Sequence, residues 1–193
     1  MLLFDFSHGS NIFLKNVLTL VESDKHVLNG VVKMQNADDF IKFLELEQHV
    51  EGGFYRSSYR SETAFDPSRQ LWSSIYFLLR TGEVSHFHRL TADEMWYFHA
   101  GQSLTIYMIS PEGELTTAQL GLDLAAGERP QFLVPKGCIF GSAMNQDGFS
   151  LVGCMVSPGF TFDDFELFSQ EALLAMYPQH KAVVQKLSRP EVN

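Results

Sequence analysis

Apolar and polar residues alternate in short runs through the middle of the chain. A period of two, carried by many aromatic and β-branched residues, predicts strands that bury one face. Glycine, proline and aspartate separate the runs, as in turns, and no helical pattern alternates with them. The predicted strands are Gly53 to Arg60, Leu71 to Arg80, Val84 to Arg89, Glu94 to Phe98, Ser103 to Ile109, Leu115 to Leu120, Gln131 to Val134, Cys138 to Ala143 and Phe149 to Val156. This arrangement predicts an all-β fold, a sandwich or barrel of two antiparallel sheets.

Helical patterns lie at both ends of the strand-rich region. Asn36 stands where an N-cap residue would begin a helix, with apolar residues at roughly helical spacing behind it. Ser169 is placed in the same way before a second segment, Pro178 ends that segment, and residues 179–187 are predicted to form a third helix. The barrel is therefore expected to carry short flanking helices.

The first 33 residues match neither the strand pattern nor a targeting signal. We expect a folded domain over residues 34–178 and a C-terminal helix and tail over 179–193. Either Met34 is the functional start, or residues 1–33 form a dispensable extension. In the alternative, an amphipathic helix in the extension packs on the barrel or on a partner subunit. Its apolar face would consist of Phe13, Leu14, Val17, Leu18 and Val21.

Composition narrows the class of partner. The chain has 193 residues, which suits one globular domain, and 14 Lys and Arg against 23 Asp and Glu give a net charge of -9. Without a basic cluster it lacks the charge that nucleic acid binding needs. No apolar run is long enough to cross a membrane, and Cys138 and Cys154 lie in apolar runs typical of buried free thiols. We expect a cytoplasmic protein.

Candidate chemistry is concentrated around two histidines. His86 and His88 are two residues apart on a predicted strand, so alternation would place both side chains on one face. A turn would bring Glu94 onto the neighbouring antiparallel strand, where Trp96 and Phe98 continue the same inward face. Two histidines and a carboxylate predict a site for Fe, Mn, Zn or Ni that leaves some coordination positions free for a substrate. The alternative is that the H-x-H pattern occurs here by chance and binds no metal.

Other polar residues are candidates for binding a ligand in the same cavity. Arg56 and Arg60 lie four apart on a predicted strand and hence on one face, where they could meet a phosphate or carboxylate. Glu51 precedes two glycines that allow a tight turn, and it either enters the cavity or pairs with Arg56. Tyr55, Tyr76 and Tyr107 are candidate proton donors or packed aromatic residues.

Several of these motifs resemble the conserved motifs of a known protein family. Gly82, His86, His88, Glu94 and Gly101 resemble the first cupin motif, and Gly127, Pro135 and Gly137 resemble the second. From the Glu51-Gly52-Gly53 segment to Ser157-Pro158-Gly159 and beyond, residues 36–178 resemble the fifth cupin-like family, a domain of unknown function. The resemblance implies a double-stranded β-helix, a jelly-roll-like barrel similar to that of sugar-nucleotide epimerases.

One position departs from the cupin pattern. The second motif would supply a fourth metal ligand, a histidine, where this chain has Phe140. The resemblance thus leaves two possibilities open, one divalent metal ion held by His86, His88 and Glu94, or a metal-free site in which Phe140 only lines the pocket.

Three functions follow as alternatives. The first is an isomerase- or epimerase-like enzyme acting on a small polar molecule such as a sugar or nucleotide-sugar derivative, with His86, His88, Glu94 and Tyr107 as catalytic candidates. The second is a non-catalytic module that binds or senses a small molecule, and the third is a metal-dependent oxygenase-type cupin. We also expect a homodimer, because a small barrel cannot bury all of its aromatic strand residues.

Overall fold

The computed structural model describes residues 36–190. Eleven strands and three α-helices make up this part of the chain, and short 3-10 turns lie between some of them. The strands are β1 (Glu47–Gln48), β2 (Phe54–Arg60), β3 (Ser73–Arg80), β4 (Val84–Leu90), β5 (Asp93–Gly101), β6 (Leu104–Ile109), β7 (Leu115–Leu120), β8 (Gln131–Val134), β9 (Ile139–Met144), β10 (Phe149–Ser157) and β11 (Phe165–Leu167). The helices are α1 (Ala37–Phe43), α2 (Gln170–Met176) and α3 (Lys181–Leu187).

The strands form two antiparallel sheets. One sheet has six strands in the order β1-β2-β3-β10-β5-β8, and the other has five in the order β11-β4-β9-β6-β7. The predicted barrel of two antiparallel sheets with short flanking helices is therefore confirmed. β1 was not predicted, because two residues are too few to show an alternating pattern.

The main core lies between the two sheets. Phe77 and Trp96 from the six-stranded sheet pack in it with Leu104, Ile106 and Phe140 from the five-stranded sheet. A second cluster lies on the other face of the five-stranded sheet, where α2 and α3 bury apolar side chains. Because apolar faces of both helices are buried there, they stabilise the barrel from outside.

The predicted helix starts are confirmed. Asn36 accepts a hydrogen bond through its side chain from the Asp39 N–H at 3.0 Å. Ser169 does the same for the Ala172 N–H at 3.2 Å. The third predicted segment begins as a 3-10 turn at Pro178–His180 and continues as α3. Met34 and the proposed extension lie outside the described residues.

Two β-bulges change which residues face the barrel interior. In β2, Ser57 pairs with Ile75 and Tyr59 with Ser74, so Ser58 is an extra residue. In β4 the register against β9 shifts between Ser85 and His88. One extra residue reverses the alternation beyond the bulge, so sequence spacing alone misassigns the faces of nearby residues.

None of the helices found between residues 36 and 190 has the length and apolar composition needed to span a bilayer.

Candidate active site

A cavity of about 490 Å³ opens into the barrel. Its ionisable side chains include His49 and Glu51 from the loop between β1 and β2, His88 from β4 and Glu94 from β5. A volume in the range of small-molecule sites, with a few polar groups among apolar ones, is typical of a ligand-binding pocket.

Glu51 is at the centre of a polar cluster and is only 6% exposed. Its Oε1 accepts a hydrogen bond from the Ser85 hydroxyl at 3.0 Å. Its Oε2 lies 3.3 Å from His88 Nε2 and 3.6 Å from His49 Nδ1. Gly52 follows at a φ of 105°, and a Cβ there would lie 2.2 Å from the Val84 carbonyl oxygen. Only glycine can make this turn, which brings Glu51 into the barrel.

Glu51 Oε2 and His88 Nε2 lie 3.3 Å apart, and burial affects the protonation of both groups. His88 Nδ1 lies 2.8 Å from the His86 carbonyl oxygen, so Nδ1 carries a proton and donates it there. Burial raises the pKa of Glu51 and lowers the pKa of His88. Both shifts favour a protonated carboxyl that donates to a neutral imidazole Nε2, because neither charged form is well solvated.

Glu94 is the second buried carboxyl of the cavity. Burial raises its pKa to about 7, although nearby His88 acts in the opposite direction. Among the described residues its Oε2 makes no hydrogen bond of good geometry, although interactions with the Cys154 thiol and the Trp96 indole lower the pKa of the carboxyl. Cys154 also lines the cavity, and burial raises the pKa of its thiol well above the usual range. The site therefore has a buried carboxyl whose raised pKa suits it to exchange a proton near neutral pH.

Residues 38–168 match the family described as Cupin superfamily (DUF985). The chain belongs to this family. A hypothetical protein from Leishmania major is 38% identical over 80% of this chain and 99% of its own, with a TM-score of 0.75. No curated protein matches the sequence.

More distant structures share the cupin fold. Oxalate decarboxylase from Bacillus subtilis is 16% identical, with a TM-score of 0.52, and the match covers 78% of this chain and 39% of the decarboxylase. A structure of CapF with the inhibitor 3-isopropenyl-tropolone is 10% identical, with a TM-score of 0.50 over 64% of this chain and 33% of that one. At these identities the likeness concerns the fold alone.

The expected trio of His86, His88 and Glu94 is not assembled in this cupin. His88 and Glu94 line the cavity, whereas His86 is not among the residues that line it. The His86 Nδ1 is 2.5 Å from the carbonyl oxygen of Glu51. The expectation that His86 and His88 share the cavity face is wrong because the β4 bulge interrupts the alternation on which it relied.

The donor set does not fit the predicted metal ion. Among residues 36–190, no group of three or more His, Cys, Asp or Glu side chains is arranged to hold one. Phe140 takes the place of the fourth ligand, with its ring centroid 4.1 Å from that of His88. His88 Nε2, the nitrogen left free for a metal, already faces Glu51. Mn(II) centres are named for the Bacillus subtilis oxalate decarboxylase, which has 16% identity to this chain.

The aromatic candidates belong to the core rather than to the cavity lining. Trp96 and Phe140 are each 1% exposed, and the Trp96 ring makes edge-on contacts with Phe77 and Phe140. Phe98 packs against the same cluster. Their predicted inward face agrees with this packing, but none of the three lines the cavity.

The two arginines predicted on one face are separated by the β2 bulge. Arg60 lines the cavity, but Arg56 does not and instead forms an ion pair with Glu45. The expectation of a shared face is wrong because Ser58 adds a residue between them.

Of the three tyrosine candidates, Tyr76 and Tyr107 do not line the cavity. Tyr107 packs in the second cluster, and its hydroxyl accepts a hydrogen bond from Lys186 at 2.9 Å. Tyr76 packs in a cluster with Leu78 and Leu151, near α1. Both are packed aromatic residues, the alternative that the sequence left open.

Tyr55, a proton-donor candidate from the sequence, lines the cavity, whereas sequence reasoning missed His49 and Cys154 as members of the site. His49 lies edge-on to Tyr55, with ring centroids 4.4 Å apart, and its Nδ1 accepts a hydrogen bond from the Glu51 N–H at 3.3 Å. The sequence His49-x-Glu51-Gly52-Gly53 could have indicated His49, because the turn at the two glycines that directs Glu51 into the cavity also brings His49 there.

Proposed function

We propose that this cupin binds a small polar molecule with a carbonyl group and moves a proton at the carbon beside that carbonyl, the chemistry of an isomerase or epimerase. A sugar derivative is the expected class of substrate. The observation that carries the proposal is the presence, in one cavity, of two buried carboxyls, Glu94 and Glu51, the second of which lies 3.3 Å from His88 Nε2.

The reaction needs one base and one acid. Ionised Glu94 takes the proton from the carbon, and the electron pair of the broken C–H bond forms a carbon–carbon double bond. The carbonyl π pair moves to oxygen, which takes the proton of the Glu51 carboxyl. Glu94 then gives its proton to the former carbonyl carbon while the hydroxyl on the adjacent carbon returns a proton to Glu51 and becomes the new carbonyl, which gives the isomer and restores both side chains.

The protonation states support these roles. A base is most useful when its pKa lies near the working pH, and burial raises the pKa of Glu94 to about 7. The acid must hold its proton at that pH, which the raised pKa of Glu51 favours. Tyr107, a catalytic candidate from the sequence, has no role in this scheme, because its hydroxyl contacts Lys186 outside the cavity. Glu51 takes the role of the acid.

The test begins with the ligand. Small molecules released from the denatured protein would be identified by mass spectrometry, and each would be incubated with fresh protein in D₂O. Deuterium entering a carbon beside a carbonyl, detected by NMR, is the expected result. Binding without exchange would contradict proton transfer and favour the non-catalytic binding module.

The variant E94Q keeps the shape of the side chain and removes the base. We expect it to bind the same ligand and to exchange deuterium about 100- to 10,000-fold more slowly. The matched control is E114Q, since Glu114 is an exposed residue on the β6–β7 turn. Exchange by E94Q at the wild-type rate would show that Glu94 is not the base.

A further inference from the structure

The cavity has a positively charged residue at its rim that is not neutralised by the protein. Arg60 lines the cavity and is exposed. Its guanidinium makes no hydrogen bond or ion pair with any other residue in the part of the chain that the structure describes. The other lining arginine, Arg69, is committed to Asp66 at 3.3 Å and to Asp164 at 3.1 Å.

Strand register relates Arg60 to the proposed base. Arg60 pairs with Ser73 on β3, Ser73 with Val156 on β10, and Val156 with Glu94 on β5. Arg60 and Glu94 are therefore the two ends of one row across four neighbouring strands, and both line the cavity. The bulge at Ser58 produces this row, because without the extra residue Arg60 would occupy the face of Arg56.

The distance between the two ends of this row limits the length of a ligand that can reach both Arg60 and Glu94. Three strand spacings place the two backbones roughly 14 Å apart. The long side chains at both ends reduce the free span, leaving room for about one sugar ring or a chain of similar length. A cavity of about 490 Å³ agrees with a ligand of that size.

We infer that the ligand is of monosaccharide size and carries one anionic group, a phosphate or a carboxylate, which Arg60 binds at the cavity mouth while the reacting carbon lies at Glu94. This inference rests on the proposed function for the position of the reacting carbon. The charge on Arg60 selects the anionic group, and it orients the ligand because the interior end of the row is acidic. A guanidinium bound to such a group forms charge-assisted hydrogen bonds that a neutral hydroxyl cannot match.

The test compares three probes that differ at one position: D-glucose, D-glucuronate and D-glucose 6-phosphate. Each is titrated into the full-length protein, and binding is measured by calorimetry and by the shift in melting temperature. We expect at least one anionic probe to bind roughly tenfold or more tightly than glucose, and the carboxylate and phosphate arms show which anion is preferred.

The matched variants are R60Q and R56Q, which remove arginines four residues apart on the same strand. We expect R60Q to lose roughly tenfold or more of the affinity for the anionic probe and to leave glucose binding unchanged. R56Q should keep the wild-type affinity, since Arg56 pairs with Glu45 away from the cavity. Equal binding by R60Q and wild type, or no binding of either anionic probe, would overturn the inference.

Deuterium exchange separates this inference from the proposed function. Arg60-dependent binding without exchange supports the anion site and contradicts the proton transfer. Exchange on neutral sugars that R60Q leaves unchanged supports proton transfer and overturns the anion site.

Discussion

Replacing Glu94 by glutamine should change how the stability of the fold depends on pH. In the unfolded chain a glutamate titrates near its ordinary pKa of about 4.3, whereas burial raises the folded pKa of Glu94 to about 7. Below the unfolded value both states carry the proton, and the raised pKa costs nothing. As the pH rises towards 7 the unfolded chain ionises first, so wild-type stability falls through that window and levels off above it.

The size of the effect follows from the separation of the two pKa values. Between two and three pKa units, at 1.36 kcal/mol each, correspond to about 3 kcal/mol. E94Q stays neutral in both states and lacks this loss. Its free energy of unfolding should therefore rise relative to wild type by about 3 kcal/mol between pH 4.5 and 7.5, or roughly 6–12 °C in Tm for a chain of this size.

Urea unfolding followed by tryptophan fluorescence at several pH values measures the difference directly. Glu51 and His88 titrate in both proteins, so most of their contribution cancels in the comparison. The exposed-site variant E114Q should differ from wild type by a constant amount. If the difference in free energy of unfolding between E94Q and wild type is also constant from pH 4.5 to 7.5, the raised pKa of Glu94 is refuted. One argument for Glu94 as the base is then lost.

Four further outcomes are expected. G52A should cost at least about 2 kcal/mol more than G82A in urea unfolding, because a Cβ at Gly52 meets backbone whereas Gly82 faces open space. N36A should lower stability by about 1 kcal/mol through loss of the α1 cap. Elemental analysis of protein purified without chelators should find well below one metal ion per chain, unchanged in H88A, whereas stoichiometric metal lost in that variant would contradict the donor geometry. Sedimentation at micromolar concentration tests the homodimer, which a purely monomeric species would refute.

Alternation in the sequence was sufficient to predict most of the fold. The strand from Leu115 to Leu120 and the strand from Gln131 to Val134 have the predicted bounds, because turn residues at 110–113 and 126–130 precede them. Helix starts were also predictable, since an N-cap is a local hydrogen bond between residues three apart. Both features depend on neighbours in the chain.

The site was predicted only in part because it depends on bulges. Glu51, His88 and Arg60 were singled out from the sequence and do line the cavity. His86 and Arg56 were assigned to the same faces by counting residues, and one extra residue in each strand defeats that count. A bulge depends on the partner strand, so nothing in the local alternation reveals it.

The phenylalanine at position 140 affects the chemistry of the site as well as its ligand count. A histidine there would add a polar donor beside His88, whereas the Phe140 ring packs on the imidazole, with centroids 4.1 Å apart. An apolar contact of this kind desolvates the imidazole, and burial is the main cause of the lowered pKa of His88. A neutral His88 can accept a hydrogen bond from the protonated carboxyl of Glu51 without taking a positive charge. The residue that removes the expected fourth metal ligand thus also favours the neutral Glu51–His88 pair on which the proposed proton transfer depends.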